Sequence, residues 1–283
     1  MQILSSRNFD LAKEFILPYE FQCTQLAAKI RKGKNEFYII SNQTSVESIN
    51  DIIGLLSLDG SLIHCIPQNN LEKLKVPEFL DSFNNFIIDK KIKSISGQAQ
   101  ANQFLVDSLK QINPQFNEIQ SFTYDLMILQ DYPIPPQNPL SCDDYIKRCT
   151  QDDLESLIDI QKKYMIKEVI PSGKQLNDLE VAISLRQILK KQLAFVLLTD
   201  EEIVAKANSN AIGWNWVQIG GVFTHPLYRR NSYAWHLVYQ LCNKIKQTQR
   251  NVCLFVKEKN QPAIELYKHL GFTKIDKYQI TYH

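Results

Sequence analysis

The six cysteines of this chain, Cys23, Cys65, Cys142, Cys149, Cys242 and Cys253, form no C-x-x-C pair and have no histidine cluster beside them. That spacing excludes a zinc ribbon or a disulfide framework, supports no metal site, and matches free thiols in a reducing cytosol. No apolar run is long enough to span a bilayer, and Met1 to Arg7 lack the basic-then-apolar pattern of a signal peptide. A cytoplasmic protein with no membrane partner is expected. Charge of neither sign dominates: Lys plus Arg is 32 against Asp plus Glu 30, a net +2, so no concentrated basic face for nucleic acid is implied. Nucleotide loops are missing too. No GxGxxG follows a strand and no Gly-Lys-Ser/Thr is present, so neither NAD nor ATP is the expected ligand.

What is present is ordinary globular material, 44% hydrophobic and 22% charged, and 283 residues lead one to expect two modules of ~150 residues each. A division is visible. Asp131 to Pro139 carries four prolines, which fix their own φ and disfavour helix in the preceding residue, giving an extended linker over 132–140 between modules 1–131 and 141–283. In the second module, apolar spacing predicts a strand over 145–149, helices over 152–164 and 176–190, strands over 193–199, 203–208 and 216–224, a helix ending at 246, a strand over 252–256, a further helix and a last strand over 274–281. The first module follows nearly the same order. It has helices over 9–17 and 21–31, strands over 36–40, 52–58 and 62–66 with Asp59-Gly60 as a hairpin turn, a helix over 77–88, a strand over 92–96, a helix over 99–112 and a strand over 122–129.

The chemistry-bearing feature lies near the C-terminus. The strand ending Gly220-Gly221-Val222-Phe223-Thr224 leads through His225-Pro226-Leu227-Tyr228 to Arg229-Arg230-Asn231-Ser232-Tyr233-Ala234, which opens an amphipathic helix. A basic turn at a helix N-terminus aims unpaired backbone amides and the positive end of the helix dipole at one spot, so an anion belongs there. The first module has no such turn, because His64-Cys65-Ile66-Pro67-Gln68-Asn69 stands in its place.

Downstream, Asn260, Ala263, Tyr267, Gly271 and Phe272 complete a pattern that resembles the GNAT superfamily of acyl-CoA-dependent N-acetyltransferases. Arg229 and Ala234 match the ends of that family's (Gln/Arg)-x-x-Gly-x-(Gly/Ala) signature, and the later residues match its Asn-x-x-Ala-x-x-x-Tyr-x-x-x-Gly-Phe segment. One position departs, since Ser232 stands where the family usually has Gly. The resemblance implies an α+β fold of two tandem GNAT-like domains, each a mixed, mostly antiparallel sheet flanked by helices, with the first domain degenerate and lacking the cofactor site.

It also implies the site. Arg229, Arg230, Asn231, Ser232, Tyr233 and Ala234 would grip the pyrophosphate of acetyl-CoA. The amides of Val222, Phe223 and Thr224 would pair with the pantetheine, with a bulge at Gly220-Gly221, where the strand splays from the one carrying Phe255. Asn260 and Ala263 would touch the same arm, Asn260 also reading as a helix N-cap before Pro262. Ser232 can likewise cap its helix while donating to a phosphate. Tyr267, otherwise a core aromatic, becomes the candidate general acid, because a phenol stays protonated at neutral pH. Glu168, in Tyr164 to Pro171 between the first two helices, is the candidate general base, with a solvated surface glutamate as the alternative. Trp214 and Trp216 read as packing residues before acceptor-lining ones, and His225 and His236 as structural.

The expected activity is direct transfer of an acetyl group from acetyl-CoA to a primary amine in a ternary complex. The competing class is a non-catalytic acyl-CoA sensor or scaffold. Whether the acceptor is a small amine or a protein is open at this stage, as is the choice between monomer and homodimer.

Overall fold

The computed structural model describes residues 1–33, 36–113, 116, 120–169 and 176–283. The first half comprises β1 (Gln2–Ser6), α1 (Phe9–Ile16), α2 (Thr24–Arg31), β2 (Phe37–Ser41), β3 (Ile52–Leu58), β4 (Ser61–Cys65), α3 (Gln68–Leu71), α4 (Pro77–Ile87), β5 (Ser94–Gln98), α5 (Ala99–Ile112) and β6 (Gln120–Leu129). The second comprises β7 (Asp144–Arg148), α6 (Leu154–Tyr164) continuing into a π-helical turn (Met165–Val169), α7 (Asp178–Lys191), β8 (Ala194–Thr199), β9 (Glu202–Ile212), β10 (Trp216–Thr224), α8 (Tyr233–Lys246), β11 (Asn251–Lys257), α9 (Gln261–His269) and β12 (Phe272–Tyr282). No helix among the described residues is long and apolar enough to cross a membrane.

Local chemistry accounts for most boundaries. Asn177 and Glu180 form a reciprocal capping box that starts α7, and the Gln98 side chain accepts from the first amides of α5. The Asp59-Gly60 turn between β3 and β4 forms as expected, with Gly60 at φ +67°. The helix expected over 21–31 is shorter. Pro18 sits at the start of a 3-10 turn (Leu17–Gln22), and Cys23 leaves helical geometry before α2 begins. β1 has no counterpart in the sequence expectation.

The sheet is where the structure goes beyond pattern. Among the described residues, twelve strands form one sheet in the order β1-β2-β3-β4-β5-β12-β6-β11-β10-β9-β8-β7. Each half supplies five strands in succession and then takes its sixth from the other half: β12 pairs with β5, and β6 pairs with β11. The two exchanged strands pair with each other from Phe272↔Leu129 to Tyr282↔Gln120. Among the described residues, β4/β5 and β10/β11 are the parallel neighbours and the other pairs are antiparallel. In the second half one core packs the sheet against α8 and α9 and includes Met127 and Leu129 from β6, while a second core packs the opposite face against α6 and α7.

The halves are also clamped at the β9–β10 hairpin. Buried Glu20 accepts the Asn215 amide at 3.1 Å and the Trp216 amide at 3.3 Å, and Arg31 Nη1 donates to the carbonyls of Ile212 (3.3 Å) and Gly213 (3.1 Å). Burial pushes the Glu20 carboxyl above its ordinary pKa, and the amides pull the other way. Trp214 packs beside the α1–α2 core and the Trp216 ring lies tilted against Phe21, centroids 5.5 Å apart. Both indoles are therefore interface packing, as the bland expectation had it.

Candidate active site

The site is built on a failure of strand pairing. β10 and β11 run parallel from Trp216↔Asn251 to Ile219↔Leu254 and then stop pairing, which leaves the facing edges of Gly220–Thr224 and Phe255–Lys257 free of one another. The cause is a bulge against β9: Gly220 pairs with Asn208 and Phe223 with Lys206, so Gly221 and Val222 together oppose Ala207. Gly221 has φ +58°, and a Cβ there would lie 2.0 Å from Asn208 Oδ1, so only glycine fits. The expected Gly220-Gly221 bulge is thus in place. Phe255 keeps its ladder to Leu126 of β6, and its ring stacks at 4.0 Å on Tyr278.

At the end of β10 the chain turns through Pro226–Tyr228, with Arg229 Nε donating to the Thr224 carbonyl at 3.2 Å. Arg230 (φ +69°) and Ser232 (φ +59°) are both left-handed, and α8 starts at Tyr233. The first amides of α8 have no intrahelical acceptor. They border a cleft of about 360 Å³ whose lining includes Arg230, Asn231, Ser232, Tyr233 and His236. The linker runs along its rim. Trp235 Nε1 donates to the Ile134 carbonyl at 2.9 Å, and His236 Nε2 lies 2.9 Å from the Asn138 carbonyl.

Ser232 requires a correction. It occupies the N-cap position, but its side chain makes no capping hydrogen bond and its backbone is left-handed. A non-glycine residue in that region costs about 1–2 kcal/mol, partly offset because glycine loses more entropy on folding. Ser232→Gly is therefore expected to raise stability by about 0.5–1 kcal/mol in denaturant unfolding. If the turn holds the pyrophosphate that the sequence resemblance implies, Ser232→Gly should also retain or tighten CoA binding, and Ser232→Asp should weaken it strongly by setting a carboxylate against phosphate.

Asn260 does cap its helix: its Oδ1 accepts the Ala263 amide at 3.4 Å, and its carbonyl accepts from Ala263 and Ile264. Farther along α9, Tyr267 is buried in the α8–α9 core with its ring edge-on to Phe272 at 5.8 Å. Burial first, then Tyr164, Cys242 and Glu168, raise its phenol well above the ordinary range. Tyr164 ends α6 on the opposite side of the sheet, its ring 6.3 Å from Phe223. Burial and then Glu168 lift it to about 12, and the Gly221 amide opposes them. The two phenols thus approach from opposite faces where β10 and β11 part.

Glu168, in the π-helical turn, reaches the same place. Lys257, the last residue of β11, donates to the Glu168 carbonyl at 2.6 Å and lies 3.8 Å from its carboxylate. Ile170 and Pro171, the end of the stretch expected to border the acceptor mouth, lie outside the described residues. The exchanged strand β6 adds Tyr124, whose phenol is raised by burial and by Tyr282, Tyr164, Tyr278 and Glu168 in turn. Tyr124, Tyr164 and Lys206 escaped sequence analysis. Lys206 alone left a signal, a single cation in the otherwise apolar run Ile203-Val204-Ala205-Lys206-Ala207.

Solved structures superpose on the whole chain at low identity. One from Drosophila shares 10% identity over 100% of this chain and 98% of its own, with TM-score 0.65. An acetyltransferase from the GNAT family of Colwellia psychrerythraea shares 9% identity over 100% of both chains, with TM-score 0.56. The chain has the GNAT fold. A further solved structure, of a GNAT-family acetyltransferase from Novosphingobium aromaticivorans, is 17% identical over 58% of this chain, which spans 65% of that one, at TM-score 0.45. A family model described as FR47-like protein matches residues 203–280, the stretch from β9 to β12 that holds the parted strands and the basic turn that opens α8. No curated protein matches the chain.

The first half of this GNAT fold has its own parallel pair, β4 and β5, registered from Ser61↔Ser94 to Ile63↔Ser96. Just past that register the His64 ring lies against Gly97, where a Cβ would sit 2.1 Å from the imidazole. Burial drives His64 down to about 4, with the Asn102 side chain opposing it, so the ring is neutral. β4 then leads through Pro67 into the four-residue α3.

Proposed function

We propose that the chain is an acetyl-CoA-dependent N-acetyltransferase whose one site lies in the second half, acting on a primary amine in the cytoplasm. The observation that carries this reading is the gap between Gly220–Thr224 and Phe255–Lys257, with an amide-rich helix start at one end and Tyr267 beside it. Arg229, Arg230, Asn231 and Ser232, with the amides of Tyr233 and Ala234, bind the pyrophosphate. The amides of Val222, Phe223 and Thr224, the free edge of Phe255, and Asn260 and Ala263 hold the pantetheine as an added strand. The first half is a scaffold: the His64 ring at Gly97 and the lack of a cradle helix leave it without cofactor.

In the reaction the amine nitrogen bonds to the thioester carbonyl carbon, and a strand amide stabilises the oxyanion that forms. The C–S bond then breaks, the thiolate takes a proton from Tyr267, and the amine's surplus proton passes to Glu168 directly or through water. Thiol release from acetyl-CoA over a panel of amines tests the activity. A chain that binds acetyl-CoA but releases no thiol with any of them is a sensor, and the reading fails. Glu168→Gln should spare CoA affinity and cost roughly a hundredfold in turnover at pH 7. That loss should shrink as pH rises, because more acceptor amine is then deprotonated without help; an unchanged pH profile removes Glu168 as the base.

A further inference from the structure

We propose that Lys206 is a positioning residue for acyl transfer, its ammonium group fixing the bulge peptide Gly221–Val222 so that the Val222 amide is presented to the acyl carbonyl. The proposal rests on the acetyltransferase reading above. The physical need comes from the sheet itself. The bulge takes Gly221 and Val222 out of the β9 ladder, and the gap takes the same segment out of the β11 ladder. Ordinary pairing therefore leaves this peptide free to rotate, at the point where an amide must be aimed.

Lys206 supplies the missing constraint. From β9, 4% exposed, its Nζ donates to the Gly221 carbonyl at 2.8 Å and to Asn208 Oδ1 at 3.0 Å. Asn208 is itself held, its Nδ2 donating to the Ser209 carbonyl (2.9 Å) and to Asn210 Oδ1 (3.1 Å). The Tyr164 ring faces Nζ, whose distance to the ring centroid is 4.4 Å. Both polar groups of Gly221 are thus engaged on the Tyr164 side, its amide facing that phenol and its carbonyl bound by Lys206. A trans peptide points its C=O and N–H in opposite directions, so pinning the Gly221 oxygen to Lys206 turns the Val222 N–H away from it. Val222 packs toward the α8–α9 core, the side that holds Tyr267.

Burial pulls the Lys206 pKa down to about 7 with Cys149 opposing it, and Nζ is placed by geometry to donate to its two acceptors beneath the aromatic face. A lysine kept there against that desolvation is doing what a methionine of similar shape could not: donating to a carbonyl.

The test uses the full-length chain and two ligands, CoA and a non-cleavable ketone analogue in which a methylene separates sulfur from the acetyl carbonyl. Wild type should bind the ketone more tightly than CoA, and Lys206→Met should erase most of that preference while leaving CoA affinity within about threefold. Turnover in Lys206→Met should fall by roughly tenfold to a hundredfold with little change in KM for acetyl-CoA. A preference and a kcat both retained in Lys206→Met overturn the proposal, as do equal wild-type affinities for the two ligands. If wild type releases no thiol with any amine, the acetyltransferase reading fails, and the affinity comparison still judges Lys206. Should Lys206→Met not fold, the Val222 amide resonance of 15N-labelled wild type decides: it should move with the ketone and not with CoA, and an unmoved resonance overturns the proposal.

Discussion

A chain beginning at Ser141 is expected to yield no folded, CoA-binding protein. Removing residues 1–140 takes away β6, so β11 loses its partner from Cys253 to Lys257 and β12 loses β5 and β6 together. It also removes Met127 and Leu129 from the core that holds Tyr267 and Phe272. Each buried side chain of that size is worth about 1.5–3 kcal/mol, the unpaired edges invite association, and a whole domain is stable by only about 5–15 kcal/mol. The β9–β10 hairpin would further lose the clamp from Glu20 and Arg31. Circular dichroism and calorimetry with acetyl-CoA on residues 141–283 check this. A folded, monomeric fragment that binds with full-length affinity would make the exchanged strand dispensable. The proposed division at the linker is accordingly one of chain and chemistry, while the sheet is shared across it.

The second large effect concerns chemistry alone. Tyr267→Phe keeps the ring against Phe272 and deletes only the hydroxyl, so folding and CoA affinity should stay close to wild type. Turnover should fall by roughly tenfold to a thousandfold, the range between modest and strong general-acid assistance. Burial, with Tyr164, Cys242 and Glu168 adding to it, raises the phenol, which keeps the hydroxyl protonated throughout the neutral range as a hydrogen-bond donor to the departing thiolate but makes it a weaker acid than a free tyrosine, so the proton moves only as charge develops on sulfur. Thiol release with an accepted amine, at saturating acetyl-CoA, measures the effect. Normal turnover in Tyr267→Phe would leave that tyrosine a packing residue.

What the sequence determined by itself was whatever depends on a few neighbouring residues. Apolar periodicity placed nearly every helix and strand to within a few residues, and the linker prolines marked the division. Gly220-Gly221 signalled the bulge, because φ +58° beside Asn208 admits only glycine. Asn260 before Pro262 signalled the start of α9. Conformation misled at Ser232, where residue type pointed to a cap and the fold imposed a left-handed backbone. Partner choice was not legible. The alternation of Phe122 to Leu129 makes a strand but does not say which edge receives it, so the exchange of β6 and β12 emerges only when both halves pack. The same holds for the side chains that meet across long separations. Tyr124, Lys206 and Tyr267 come from three separate elements, and Tyr164 and Glu168 from one continuous helical segment; these four segments meet because a bulge in one strand opens the sheet and helices on both faces close on the opening.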